Sequence, residues 1–456
     1  GVLSATSAGT CLVTATSAGD TNYNATSSTA TFTFNKADQA ELIVTTEDGS
    51  YGSSLTLNFS GGSGTGSVSY AVTNGTATGC AIANGLLTAT STGTCLVTAT
   101  KADDGNYNTV SSAATTITFT KALQGNLALT PTSGSYGTPI TLSVSGNSGS
   151  GAVSLTTSNG TATGCSMSGS SLSSTSAGTC YVVVSVAGDA NYLAATATFS
   201  VSFAKIAQMA ITVTSTSATY GQGLTLTYTG GSGTGAFVWT VANGTASGCS
   251  IASGVLTSTS AGTCVVTLTN TGDANYLSAT SGSVTVTIAK AAQATLTLTS
   301  TTGTYGTSLL LATSGGSGTG ALNYSVTNGT ATGCAISSGK LVVTSAGTCL
   351  VTATKSADVN YLSATTGAVT VTFAKAVQFT LGITPVTGTF GTALALTATG
   401  GSGTGAVTFS ASNGTASGCA MSGNLLTSTS AGTCLVIATK ATDTNYLSAS
   451  SASTTV

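Results

Sequence analysis

Ten of the eleven cysteines fall into five pairs fifteen positions apart: Cys80/Cys95, Cys165/Cys180, Cys249/Cys264, Cys334/Cys349 and Cys419/Cys434. Thiols offer nucleophilic attack, metal ligation or disulfide formation. The chain contains no His, so neither a Cys-His nor a Ser-His-Asp arrangement has its base. Two thiolates per pair, with no His and no second C-x-x-C, cannot fill a tetrahedral zinc site, and no haem-attachment motif occurs. Disulfides remain, and they imply an oxidising compartment: extracellular, at a cell surface or in a periplasm. Cys11 has no partner at this spacing. No pair of acidic residues recurs in the way glycoside hydrolysis needs, and Asp38, Glu41, Glu47 and Asp48 occur in one stretch only, as a solvated strand edge. The expectation is no enzyme, with no catalytic residue, no cofactor and no metal site.

Two further motifs resemble functional signatures. The Gly-rich run Gly61, Gly62, Gly64, Gly66 returns near Gly230, Gly315 and Gly400. A phosphate-cradling loop needs a following helix and a nearby Lys or acidic partner; strand-like sequence flanks these runs, which read as flexible inter-strand loops. Asn-Gly-Thr recurs at Asn74, Asn159, Asn243, Asn328 and Asn413, and Asn58 and Asn323 open further N-x-S sequons. Each Asn-Gly suits a tight turn with positive φ, and each sequon is also a glycosylation acceptor.

Charge is scarce: 4% of residues, with a net of -2 and no Arg. Nucleic acid needs clustered Lys and Arg to neutralise phosphates, so a nucleic-acid partner is excluded, and anionic membrane surfaces are disfavoured on the same ground. Mean hydropathy is +0.38, yet no apolar run approaches the roughly 20 residues of a spanning helix, so no membrane-spanning segment is expected. Eleven of the twenty charges occupy two recurring places. One is a junction lysine: Lys36, Lys121, Lys205, Lys290 and Lys375. The other is a loop aspartate followed by Asn at +2 and Tyr at +3: Asp20, Asp104, Asp189, Asp273, Asp358 and Asp443. This placement predicts a loop that leans on the junction and pairs with its lysine to orient neighbouring domains. A Lys-Asn isopeptide bond and a junction calcium ion are sharper alternatives, but the first needs a buried triad and the second six to eight oxygen ligands.

The elements that position these residues repeat every 84 to 85 residues. The period divides the chain into 1–36, a C-terminal part of a repeat, then 37–121, 122–205, 206–290, 291–375 and a nearly complete 376–456. The chain opens and closes inside a repeat, as a window from a longer array would. In 206–290, MAITVTSTSAT, LTLTYTG, AFVWTV, CSIA, VLTSTS, TCVVTLT and SGSVTVTIAK alternate apolar and polar residues between turn signals. Seven short strands with turns every 8 to 12 residues predict an all-β, Greek-key-type sandwich with almost no helix. Trp239 aligns with Tyr70, Leu155, Tyr324 and Phe409, a tolerance expected of a core anchor rather than a sugar-stacking platform. Junctions run through Lys-Ala-x-Gln with no flexible spacer, so neighbours are held close.

The run from the Tyr-Gly turn through G-G-S-G-T-G-A, N-G-T-A-T-G-C and S-A-G-T-C to G-D-A-N-Y resembles the bacterial immunoglobulin-like repeats of surface proteins, especially the group-3 type, over essentially the whole chain. The resemblance implies a tandem array of immunoglobulin-like β-sandwich domains in adhesins, stalks and fibres; the disulfide in each rests on the spacing and is not general to such repeats. The expected function is an extracellular structural stalk or fibre. The alternative is a binding module whose loops recognise a surface glycan or protein; ice binding through Thr-x-Thr ladders ranks below both. Uncharged edge strands invite lateral pairing, which makes copies of the same chain the candidate partner.

Overall fold

The computed structural model describes residues 1–456, and every regular element is a strand. The chain divides into two compact units. One comprises Gly1–Gln208, Ser232–Gly235 and Gly272–Ser278, and the other Met209–Gly231, Ala236–Thr271 and Ala279–Val456.

Residues 211–289 show how the sequence builds a sandwich. Gly262–Asn270 buries alternate residues, Cys264, Val266 and Leu268, because successive side chains point to opposite faces. This central strand pairs antiparallel with Phe237–Asn243 on one side and with Val284–Ala289 and Ala279–Thr280 on the other. Ser217–Thr219 then joins Val284–Ala289 in parallel, so the first part of the repeat lies beside the last in one sheet. The facing layer holds Ser250–Ala252, Val255–Thr257 and Leu224–Thr225, with Thr212–Val213 paired to Tyr228–Thr229. Leu226, Ala246, Leu256, Cys264, Val266, Val286 and Ile288 fill the space between. Corresponding cores surround Leu87, Leu172, Leu341 and Leu396. This is the topology of an immunoglobulin-like sandwich.

The run LTLTYTG reads from sequence as one strand, but it is two pieces. Leu224–Thr225 pairs with Val255–Leu256 and Tyr228–Thr229 pairs with Thr212–Val213. The crossing is held by the Thr227 amide, which donates to Ser215 Oγ at 2.8 Å. Trp239 packs half-buried against the core, as an anchor does. At the start of the chain, Gly9–Ser17 and Thr26–Phe34 form a two-stranded hairpin on which Leu12 is 69% exposed.

The Asn-Gly turns differ from expectation. Neither Asn243 nor Gly244 has a positive φ; the left-handed pair is Ser253 (φ 49°) and Gly254 (φ 77°). Gly244 is required for closeness instead, because a Cβ there would lie 2.4 Å from Thr263 Oγ1. Asn243 Oδ1 accepts the Cys249 amide at 2.9 Å, and the same bond recurs from Cys80, Cys165, Cys334 and Cys419. The sequon hydroxyl of Thr245 accepts the Thr263 amide at 2.9 Å. Asn-Gly-Thr is thereby consumed in closing the loop that precedes each disulfide.

The five disulfides are Cys80–Cys95, Cys165–Cys180, Cys249–Cys264, Cys334–Cys349 and Cys419–Cys434, with Cα–Cα distances of 5.8 to 6.0 Å. The two sulfurs of a bridge are not equivalent. Cys95, Cys180, Cys264, Cys349 and Cys434 lie buried on the central strand of their repeats, whereas Cys80, Cys165, Cys249, Cys334 and Cys419 are half-buried at the end of the Asn-Gly-Thr loop. Each bridge thus fastens that loop to the core, and Cys11 is free. A closed fifteen-residue loop restricts the unfolded chain by about 3 kcal/mol. The double substitution Cys249→Ala with Cys264→Ala is therefore expected to keep the β circular-dichroism spectrum while lowering the melting point of that repeat by about 10–20 °C in calorimetry.

Candidate functional site: the inter-repeat junction

The segment after each junction lysine is zipped to a loop of the repeat it enters. Ala122 donates its amide to the Asn191 carbonyl and accepts from the Leu193 amide, both at 2.9 Å. The same parallel bridge forms at Ala37/Tyr107, Ile206/Tyr276, Ala291/Tyr361 and Ala376/Tyr446. Three positions after each junction lysine, a glutamine supplies a second tie. Gln124 Oε1 accepts the Ser148 amide at 2.8 Å while its Nε2 donates to the Leu193 carbonyl at 3.2 Å. Gln39, Gln208, Gln293 and Gln378 hold the same loop carbonyl position. The sequence reading passes over these glutamines; their fixed place three residues after the junction lysine, at Gln39, Gln124, Gln208, Gln293 and Gln378, is the available signal.

The loop aspartate stitches two loops of its own repeat together. Asp189 Oδ1 accepts the amides of Asn191 (2.9 Å) and Tyr192 (2.8 Å), and its Oδ2 accepts the Ser150 amide (2.6 Å) and hydroxyl (3.2 Å). A carboxylate that accepts several N–H bonds is stabilised in its charged form. The pKa of Asp189 is accordingly lowered to about 2, with the Ser150 amide as the largest cause. Asp104, Asp273 and Asp358 are also lowered to about 2, led by the amides of Thr65, Thr234 and Thr319. Asp443 is lowered chiefly by the Asn445 amide. Asp20 makes the local half of the motif, accepting the amides of Asn22 and Tyr23. The Gly-rich run is pinned rather than flexible: a Cβ on Gly233 would sit 2.3 Å from Asp273 Oδ2, so only glycine lets the loop reach the carboxylate.

With its backbone fixed in this way, the loop Asn turns its side chain to the preceding repeat. Asn191 Oδ1 accepts the Thr92 amide at 3.1 Å, and Asn275 Oδ1 accepts the Ala177 amide at 2.8 Å. Asn106, Asn360 and Asn445 do the same to Ala8, Ala261 and Ala346, each at 2.9 Å. The neighbouring tyrosine packs edge-to-face on the Tyr-Gly tyrosine of the preceding repeat. The pairs are Tyr51/Tyr192, Tyr136/Tyr276, Tyr220/Tyr361 and Tyr305/Tyr446, with centroids 5.5 to 6.1 Å apart. A dipeptide read as a turn gives no sign of this second use of its tyrosine.

The lysines do not pair with the loop carboxylates. Lys205 Nζ donates to the backbone carbonyl of Asp273 at 2.6 Å, and Lys290 Nζ donates to that of Asp358. Lys375 reaches Thr442 Oγ1 at 3.1 Å, and Lys121 reaches no carboxylate. The one ion pair is Lys36 with Asp103 at 2.6 Å, beside the motif aspartate and exposed on both sides, where such pairs contribute little. The physical reason is that amides already fill the aspartate oxygens. The loop Asn is likewise committed to a backbone amide, which leaves the Lys-Asn isopeptide geometry unmade. Elsewhere, a cavity of about 450 Å³ beside Phe390 and Val456 is lined by hydroxyl, glycine and apolar residues and the disulfide-bonded Cys434, with no acid or base.

Two outcomes are expected. Asp104, Asp189, Asp273 and Asp358 have folded values of about 2 against about 3.9 when unfolded, so their contribution is present above pH ~4 and lost as the pH falls towards 2. Thermal melts of the Asp273→Asn chain should show a weaker acid dependence over that window than the unsubstituted chain. Asn360→Ala should accelerate hydrogen exchange at the Ala261 amide at least tenfold while changing stability by about 1 kcal/mol; unchanged protection there would refute the latch.

No protein-family model and no curated protein matches the chain. Solved structures similar to it include protocadherin gammaB7 EC3-6, described as a cis-dimer, at 13% identity, covering 73% of this chain and 100% of that one with a TM-score of 0.22. Drosophila N-cadherin EC1-4 matches at 13% identity, covering 68% and 93%, with a TM-score of 0.21. The S-layer protein rSbsC(31-844) matches at 14%, covering 89% and 64%, with a TM-score of 0.19. Likeness at this level transfers no function. The chain's own strand order and regularly spaced disulfides make it an all-β tandem array of immunoglobulin-like sandwich domains.

Proposed function

We propose that this chain is a non-enzymatic structural segment, an extracellular stalk or fibre of group-3-type bacterial immunoglobulin-like repeats that acts as a semi-rigid spacer of a surface adhesin or filament. The observation that carries this reading is the Asn latch. One side-chain oxygen takes one backbone amide of the preceding repeat at five successive junctions. Repetition of an orienting contact serves geometry, whereas a ligand site is made once or varied. The disulfides fit an oxidising, non-cytoplasmic location.

The same geometry weighs against the adhesive alternative. The Gly-rich and Asp-x-Asn-Tyr loops, which would recognise a glycan or protein, spend their amides and carboxylates on each other. Single-molecule extension of the chain should give one unfolding step per complete repeat. Reduction should lengthen each step by roughly 45–50 Å, the fifteen residues that the disulfide holds back at ~3.3–3.6 Å each less the 5.8 to 6.0 Å that already separates the bridged Cα atoms. Saturable binding on a glycan array, abolished by changes in these loops, would replace the spacer reading with the adhesive one.

A further inference from the structure

Each sandwich carries one long edge strand that nothing covers. In the larger sheet of each repeat this edge is Val68–Asn74 or Val153–Asn159 in the first unit, and Phe237–Asn243, Leu322–Asn328 or Val407–Asn413 in the second. Each pairs residue for residue with the central strand over seven positions, without a bulge. The bonds from the Gly244 amide to the Thr263 carbonyl and from the Thr271 amide to the Ala236 carbonyl set the phase. In Phe237–Asn243 the even-numbered residues therefore bond inward, and Phe237, Trp239, Val241 and Asn243 direct their amides and carbonyls away from the sheet. Natural edges are blunted by Lys, Pro, bulges or shortness. None of the five strands contains a charge or a proline, and Val153, Val238, Leu322 and Val407 on them are 38–46% exposed. The strand at the opposite edge is only two or three residues long.

We infer that such an edge strand is a docking edge for the identical strand of a second copy of the same chain, paired antiparallel across a two-fold axis. The row of outward amides and carbonyls calls for an extended backbone as partner. An uncharged strand is complementary to itself, because a two-fold axis at Thr240 sets Thr240 against its own copy and Trp239 against Val241, with no charge to repel. A second copy presents an edge of the same length and the same hydrogen-bonding phase, likewise without charge or proline. The inference rests on the structural-array reading, which single-chain extension tests without any association.

The experiment compares three versions of the 456-residue chain by sedimentation velocity between roughly 1 and 200 μM, a range that spans typical weak self-association. The first is unsubstituted. The second carries Ala71→Lys, Thr156→Lys, Thr240→Lys, Ser325→Lys and Ser410→Lys, which set like charges directly opposite across the new pairing. The third carries the same added charge one strand inward, at the cross-strand partners: Thr98→Lys, Val183→Lys, Thr267→Lys, Thr352→Lys and Ile437→Lys. Circular dichroism and thiol titration confirm folding in each. The first and third chains are expected to associate with rising concentration, and the second to do so at least tenfold more weakly. Association retained in the second chain, or an unsubstituted chain monomeric throughout, overturns the inference.

Discussion

The junction depends on a single carboxylate in each repeat. Asp189, Asp273 and their equivalents accept amides from two loops far apart in sequence and hold both in one conformation. Without that acceptor, three loop amides would need water, and the backbone from which the Asn side chain is aimed would keep only its bridge to the linker and the glutamine tie. The linkage is electrostatic in origin yet needs no cation, because backbone N–H groups supply the positive ends of the dipoles. A chain with 4% charged residues can therefore place its few charges where each one organises backbone.

This arrangement explains why the linker is short. A few residues between strands would ordinarily leave a hinge, but here the segment is bridged to the loop of the repeat it enters and tied again by a glutamine. The preceding repeat meets a surface that is already folded: one amide finds the Asn oxygen and one tyrosine finds another. Hydrogen bonds inside a repeat thus prepare contacts between repeats.

Much of this was legible in the sequence. The spacing of Cys95 from Cys80, repeated at Cys180, Cys264, Cys349 and Cys434, pointed to disulfides because two thiols without His have no other stable use here, and the alternation in TCVVTLT gave the central strand. That the second cysteine of each pair is the one in the core follows from this alternation, since it shares a face with Val266 and Leu268 or their equivalents. The loop aspartate and junction lysine stood out because charge is so rare. Their partners did not. Which acceptor a lysine reaches depends on which groups are already satisfied, and that is decided by three-dimensional closure. The Asn243-Gly244 pair shows the same limit: the glycine is needed for close packing against Thr263, a distance no dipeptide rule encodes. Tyr220 acts across a junction and Gln208 ties one down, so reading a repeat in isolation assigns them only a local role.

The parallel pairing of Ser217–Thr219 with Val284–Ala289 has a mechanical meaning. Tension applied through the ends of a repeat pulls these two strands in opposite directions along their length. Their hydrogen bonds must then slide and rupture together rather than open one by one, and the bonds from Thr287 to Thr216 and from Tyr220 to Ala289 share the load. The ties that precede this patch in the chain, Ile206 to Tyr276 and Thr212–Val213 to Tyr228–Thr229, take the load first, and the patch is where the pull turns into shear between two long-axis neighbours.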